Sequence, residues 1–288
     1  MKQAETTYAK VAPCVVRTAG LFCKASSCEP GWPLDVSREI EGLLYRFTAP
    51  MQLTERDLEV LLALIAIGCS QDGTFQTTRQ FSGPDATTRA RKQLSAKVEI
   101  RTSYSTLARE LGRSAGGDTW PHISQALARL FAVSVYVKPS SVVNWHRYSA
   151  GHLLDALTAD MTGDTIAVSL SPVLASAVLG GRGEFIRVPM EEVRELRADR
   201  SGITRLLHFH LHGRPAGETC SITEGRLMSL IFGSDAAQGS TLRMRTSALR
   251  KAMVRLGLLP GWKTSRNGAT HYVRRPKSTR SSRQEAEH

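Results

Sequence analysis

Apolar residues recur at intervals of three and four in several stretches of the chain, each bounded by helix start and stop signals. Leu58, Leu61, Leu62 and Ile65 follow Thr54-Glu-Arg-Asp57, where a hydroxyl can cap the first free N–H groups and acids complement the helix dipole. This spacing predicts a core helix closing at Gly68, preceded by a short strand over Phe47 to Pro50. A second signal, Ser103-Tyr-Ser-Thr-Leu-Ala-Arg-Glu-Leu-Gly112, leads through a Gly-rich break to Asp118–Phe131 and then to the β-rich run Val133 to Val137. Asp118 stands where a cap belongs, and Pro121 falls in the first helical turn, where it is tolerated. Asn144 to Ala150 and Thr165 to Leu170 supply further strands. Helix, turn, amphipathic helix and strand in this order are the grammar of a helix-turn-helix that runs into a β-wing.

The order returns in Ser221 to Gly233, Ser240 to Leu256, Leu258 to Trp262 and His271 to Arg274, the last two as a hairpin around Asn267-Gly268. The repeat predicts an α+β fold of two tandem winged-helix domains. Residues 1–45 read as a flexible N-terminal arm, 46–171 as the first winged-helix domain, serving assembly and backbone contacts, 172–276 as the second and main DNA-binding domain, and 277–288 as a disordered tail. Pro172 to Gly183 would join the domains. Gln71 to Glu99 reads as a long hairpin or loop carrying Arg89, Arg91 and Lys92.

Charge separates the two copies. The chain carries +12, and from Ala236 to Gln284 there are twelve Lys or Arg and no Asp or Glu. On the helix Ser240 to Leu256, Leu242, Leu249, Ala252, Met253 and Leu256 form one stripe, and Arg243, Ser247, Arg250, Lys251 and Arg255 the opposite face. Ser240 is placed to cap it and Gly257 to stop it in a left-handed turn. The first copy's corresponding helix holds one acid and one base. A positive surface without local carboxylates attracts a polyanion, most commonly a nucleic-acid backbone. The second copy is therefore expected to enter a major groove, with Ser240, Thr241, Arg243, Ser247, Arg250, Lys251 and Arg255 on bases or phosphates and Lys263, Arg266, Arg274 and Arg275 on the flanking backbone. Arg245 lies at the rim, between DNA and core.

Other chemistry is sparse. Five cysteines without paired metal-ligand spacing fit reduced thiols in a cytoplasmic protein, and the longest apolar run, Val60 to Ile67, is too short to cross a bilayer. His208-Phe-His-Leu-His212 offers the His-hydrophobic-His pair that metal-dependent DNA nicking enzymes present on a strand. Such an enzyme also needs a nucleophilic Tyr with a Lys or Tyr at helical spacing, whereas Tyr104, Tyr148 and Tyr272 are followed by Ala108, His152 and Pro276. Ile203 to His212 also reads as a helix, with His208 and His212 partly exposed. Gly180-Gly-Arg-Gly183 lacks the Lys-Ser/Thr of a phosphate loop. Trp120, Trp145 and Trp262 read as core or hinge anchors, and Glu191, Glu192 and Glu195 as a charged first turn. No catalytic residue, metal or cofactor is expected.

Four segments, Ser103 to Gly112, Leu170 to Gly181, Arg187 to Leu196 and Gly239 to Arg243, resemble in order the iteron-binding replication initiators of IncQ-type plasmids, over about Phe47 to Trp262. The resemblance implies two winged-helix domains, binding to direct repeats in double-stranded origin DNA, opening of adjacent AT-rich DNA and recruitment of a plasmid helicase and primase. It also implies a balance of monomer and homodimer. A transcriptional repressor binding a palindromic operator is the alternative, and a metal-dependent nicking enzyme the second.

Overall fold

The computed structural model describes residues 7–25, 32–70, 98–141, 149–179, 185–199, 201–233 and 237–277. The expected loose arm is structured where it is described. Strand β1 (Tyr8–Val11), helix α1 (Pro13–Arg17), strand β2 (Phe22–Cys23) and the hairpin of β3 (Leu34–Ile40) and β4 (Leu43–Ala49) follow one another. Ala9, Val11, Val15, Val16, Leu21 and Phe22 are inaccessible to solvent. Strands β1 and β2 show no local period because they are four and two residues long and their partners, β11 and β5, lie far away in sequence, whereas β3 and β4 pair with each other.

Strand β5 (Leu53–Thr54) runs parallel to β2 and opens into α2 (Glu55–Ser70). This helix is buried almost all round, as a helix enclosed by other elements must be. Gly68 does not end it. A Cβ there would stand 2.7 Å from Ile100 Cδ1, so the glycine lets α2 lie against strand β6 (Val98–Thr102). At the other end, the N–H and Oγ1 of Thr54 donate to Asp57 Oδ2 at 2.8 and 2.9 Å, so the acid caps the helix rather than the threonine.

After β6 come α3 (Tyr104–Glu110), capped by Ser103, and α4 (Thr119–Phe131). Asp118 occupies the N-cap position of α4 without a side-chain hydrogen bond. The next strand, β7 (Ser134–Pro139), does not enter a wing. With β8 (Ser149–His152) it extends the first hairpin into a four-stranded sheet, ordered β3-β4-β7-β8. The hairpin paired with β6 is instead β9 (Leu154–Asp160) and β10 (Thr165–Leu170), in the order β6-β10-β9. The expected linker helix, α5 (Pro172–Leu179), is a core element with Val173, Leu174, Ala175, Ala177 and Val178 buried.

Strand β11 (Ile186–Pro189) pairs antiparallel with β1 and leads into α6 (Met190–Glu195) and a 3-10 turn over Leu196–Ala198. Then α7 (Ile203–His212), β12 (Thr219–Thr223), α8 (Glu224–Phe232), α9 (Gly239–Leu256), β13 (Lys263–Asn267) and β14 (Thr270–Arg274) follow the order of α2, β6, α3, α4, β9 and β10, with no strands in the place of β7 and β8. Their sheet order, β12-β14-β13, matches that of β6-β10-β9. Leu258 to Trp262 forms the turn between α9 and β13 rather than a strand. The buried apolar residues of both units form one continuous cluster. Glu59 of α2, itself buried, pairs with Arg113 at 3.1 Å and with Arg205 of α7, tying the units together.

Trp145, Gly180 to Gly183, Arg89, Arg91, Lys92, Cys28 and the tail 278–288 lie outside the described residues. Among the described residues no helix is long and apolar enough to cross a membrane.

Candidate nucleic-acid interface

Helix α9 begins at Gly239 with Gln238 in the N-cap position, so Ser240 stands in the first turn rather than capping it. Ser240 and Thr241 are exposed there, beside N–H groups that have no intrahelical partner. Leu249, Ala252, Met253 and Leu256 are buried as their spacing requires, whereas Leu242 is 42 % exposed. The residues around Leu242 are exposed too, so the first turns of α9 overhang the scaffold that its later turns pack against. Gly257 closes the helix with φ −66°, not in a left-handed turn. Its lack of a side chain serves closeness, since a Cβ would lie 2.5 Å from Thr264 Oγ1, the hydroxyl that donates to Met253 O at 3.1 Å.

At 100° per residue, Arg243, Met244, Ser247, Lys251 and Val254 share the outward arc of α9, with Arg250 and Arg255 on its two flanks. All seven are exposed. Met244 and Val254, each 66 % exposed, give the arc an apolar component that the charge pattern did not reveal. The flanks are anchored by acids remote in sequence. Glu224 accepts from Arg250 Nε at 2.7 Å and Nη2 at 3.1 Å and lies 3.7 Å from Arg266 Nη1. Asp199 Oδ1 stands 3.5 Å from Arg255 Nη1. The acid-free run is thus partly compensated in space, because the start of α8 and the segment before α7 fold against it. Hydrogen bonding from Arg250 holds the Glu224 carboxyl below its ordinary range. His271, buried beneath the hairpin, lies 3.3 Å from the same carboxylate, and burial lowers its imidazole below its usual value despite that contact.

Arg243, Lys251, Lys263 and Arg274 pair with no carboxylate among the described residues. Lys263 and Arg274 stand directly opposite each other in the β13–β14 ladder. Like charges so placed repel, and an anion laid across them removes the repulsion.

Two arginines belong elsewhere. Arg275 is half-buried, donating from Nε to Arg214 O at 2.8 Å and meeting His212 Nδ1 at 3.2 Å from Nη1, so it is not on the outer edge of the hairpin. The Arg245 guanidinium lies 4.8 Å from the Phe232 ring centroid and packs toward the body.

The matching helix of the first unit is differently used. Its one arginine, Arg129, turns inward to Asp57, which is completely buried, with Nη2 at 2.7 Å and Nε at 2.9 Å from Oδ1. Trp120 stacks on Tyr104 at 5.6 Å.

The three histidines lie on a helix, α7, and not on a strand. His210 Nδ1 meets Val16 O at 2.9 Å, while His208 Nε2 meets Glu192 Oε2 at 2.6 Å, so the two rings of the His-hydrophobic-His pair serve different partners. His208 and His212, expected to be partly exposed, are 1 % and 4 % exposed. Together with Glu192 they bring three ligand atoms within 4.8 Å of one another. Trp262 Nε1 donates to the same Glu192 Oε2 at 3.0 Å. Burial opposes ionisation of Glu192, but the contact with His208 at 2.6 Å and the neighbouring His212 imidazole at 3.6 Å outweigh it and hold the carboxyl below its ordinary range. Burial, reinforced by neighbouring His208, pushes the His212 imidazole down to about 4.

Compared with solved structures, the chain is similar to domains 2 and 3 of RctB. A crystal structure of selenomethionine derivatives of those domains matches with a TM-score of 0.58 at 11% identity, covering 93% of this chain and 100% of that one. A second crystal structure of RctB domains 2-3 matches with a TM-score of 0.55 at 11% identity, covering 91% and 95%. At this identity the likeness speaks for the fold alone. No curated protein matches the sequence. The replication protein C (RepC) family model matches residues 3–277, well beyond both ends of the segment whose motifs carry the resemblance, and the chain therefore belongs to the RepC family of replication proteins.

Proposed function

We propose that this replication protein initiates by binding energy alone, laying α9 into the major groove of origin DNA and the β13–β14 hairpin along the adjoining backbone. The order α7–β12–α8–α9–β13–β14 with sheet order β12-β14-β13 supports reading the second unit as a winged helix, and the first unit has the same sheet order, with β7 and β8 inserted before its hairpin. The observation that carries the proposal is the outward arc of α9, where Arg243, Ser247 and Lys251 stand exposed between flanks anchored by Glu224 and Asp199. Anchored flanks hold the helix face in one orientation. The unpaired cations are then available for phosphates or guanine edges, and Met244 and Val254 for thymine methyl groups. Ser240 and Thr241 reach a phosphate at the helix start.

Direct repeats are the proposed target, with local opening of AT-rich DNA and recruitment of a helicase and primase to follow, and with a homodimer as the form held in reserve. The first unit, whose helix turns its arginine inward, serves assembly and backbone contacts. Footprinting on the DNA beside the coding region tests this. The expected result is protection of a series of direct repeats spaced by about two helical turns. A single protected inverted repeat points to a repressor, and no retention on duplex DNA sinks the proposal. Affinity should also fall by about 10³ or more between 50 and 200 mM salt if six or more phosphates are contacted.

A further inference from the structure

We propose that Glu192, His208 and His212 form a binding site for one divalent cation of the zinc class, joining helix α6 to helix α7 beside Trp262. The donor atoms are Glu192 Oε2, His208 Nε2 and His212 Nε2, separated by 2.6, 3.0 and 3.6 Å. Triangles of this size place all three within reach of a single ion at the roughly 2.0–2.2 Å usual for zinc with imidazole and carboxylate. Two imidazoles and one carboxylate suit a borderline cation better than the hard, oxygen-seeking magnesium or calcium. Spacing along α7 explains the convergence, since residues four apart share a face, and Glu192 on α6 closes the third side.

Proton counting points the same way. A neutral imidazole nitrogen either donates or accepts a hydrogen bond. Arg275 only donates, so its contact makes His212 Nδ1 an acceptor and leaves the His212 proton on Nε2. His208 Nε2 then cannot both donate to Glu192 and accept from His212, and one of the two short contacts is left without a hydrogen between its atoms. A cation at the common focus takes a lone pair from each group and removes the conflict. Loaded, His212 carries its proton on Nδ1. The Arg275 Nη1 contact at 3.2 Å then opens, while its Nε–H stays on the Arg214 carbonyl at 2.8 Å. Trp262, the residue before β13, keeps its indole N–H on Glu192 and packs against both imidazoles, tilted to His208 and edge-on to His212, with ring centroids 5.5 and 5.4 Å away. With both histidines enclosed, the role is structural.

The test uses untagged full-length protein, treated with EDTA, desalted and titrated with cobalt(II), with visible ligand-field absorption as the readout and zinc(II) as competitor. One cobalt per chain, displaced by zinc, is expected. Glu192→Gln and His212→Ala should each weaken uptake by more than about 100-fold, since even outer-shell partners of a metal site contribute 10–100-fold. Arg275→Ala should tighten it, because it removes a donor that competes for His212. Wild-type protein that takes up no cobalt, or ligand variants that bind as well as wild type, overturns the proposal. If the ligand variants do not fold, the wild-type stoichiometry and Arg275→Ala decide, and weaker binding by Arg275→Ala counts against the site.

Discussion

The two units share a sheet order and, apart from the inserted β7 and β8, an element order, yet they treat the cation on the matching helix in opposite ways. In α4 the arginine is sealed against a fully buried aspartate. In α9 the arginines on the flanks touch acids and the cations between them stay exposed. A buried, paired charge specifies how the body is assembled, and removing one partner is costly. An exposed cation adds little to stability and remains available to a polyanion. Where the carboxylates fall thus leaves the matching helix of one unit with its arginine sealed inward and that of the other with exposed cations.

The contrast can be broken by substitution. Asp57→Ala leaves Arg129 unpaired and uncaps α2, and should cost about 3–5 kcal/mol of stability in chemical denaturation, with the salt dependence of DNA binding by the folded fraction unchanged. A loss under about 1 kcal/mol would remove the structural role given to the first unit's arginine. Next, Arg243→Ala and Lys251→Ala should leave stability within about 0.5 kcal/mol, because both are exposed and unpaired. Each should cost about 1–3 kcal/mol of discrimination if it reads a base, or lower the salt slope by roughly one if it meets a phosphate. Arg129→Ala should do neither to the DNA complex, and a flattened slope there would erase the distinction between the units.

Arg250→Ala sharpens the comparison within α9. Its charge is already matched by Glu224, so its effect on the salt slope should be smaller than that of Lys251→Ala. An equal or larger effect would show that DNA displaces the ion pair. The smallest expected effect is on pH. His271 faces Glu224, Arg250 and Arg266, and its imidazole is held below its ordinary value of 6.5. The unfolded chain therefore takes up a proton that the fold resists. His271 contributes stability above about pH 6.5 that is lost as the pH falls below it, and His271→Gln should flatten that part of a stability–pH curve. A curve with the same slope in the variant would place the acid sensitivity elsewhere.

Much of the second unit was legible in the sequence. The α9 stripe of Leu249, Ala252, Met253 and Leu256 follows helical spacing, and the hairpin was marked by Asn267-Gly268. The carboxylates that organise its cations were hidden, because Glu224 and Asp199 lie 26 and 56 residues before the arginines they hold. Arg275 read as an outer cation because neighbours in a hairpin sequence say nothing of a histidine on another element. The first 45 residues read as loose for a similar reason. Strands β1 and β2 are four and two residues long with distant partners, and β3, though it pairs with the adjacent β4, is exposed at most of its positions, so neither kind leaves a core-facing period to detect.

The pairing of β1 with β11 carries a consequence for how the protein is made. The edge that Tyr8 to Val11 must join, Ile186 to Pro189, is translated about 175 residues after them, and at about 5–20 residues per second that interval lasts roughly ten seconds or more. Until then a nascent apolar ribbon has no native neighbour on that side. Slowing elongation ahead of Ile186 should lengthen that exposure and lower the yield of folded protein.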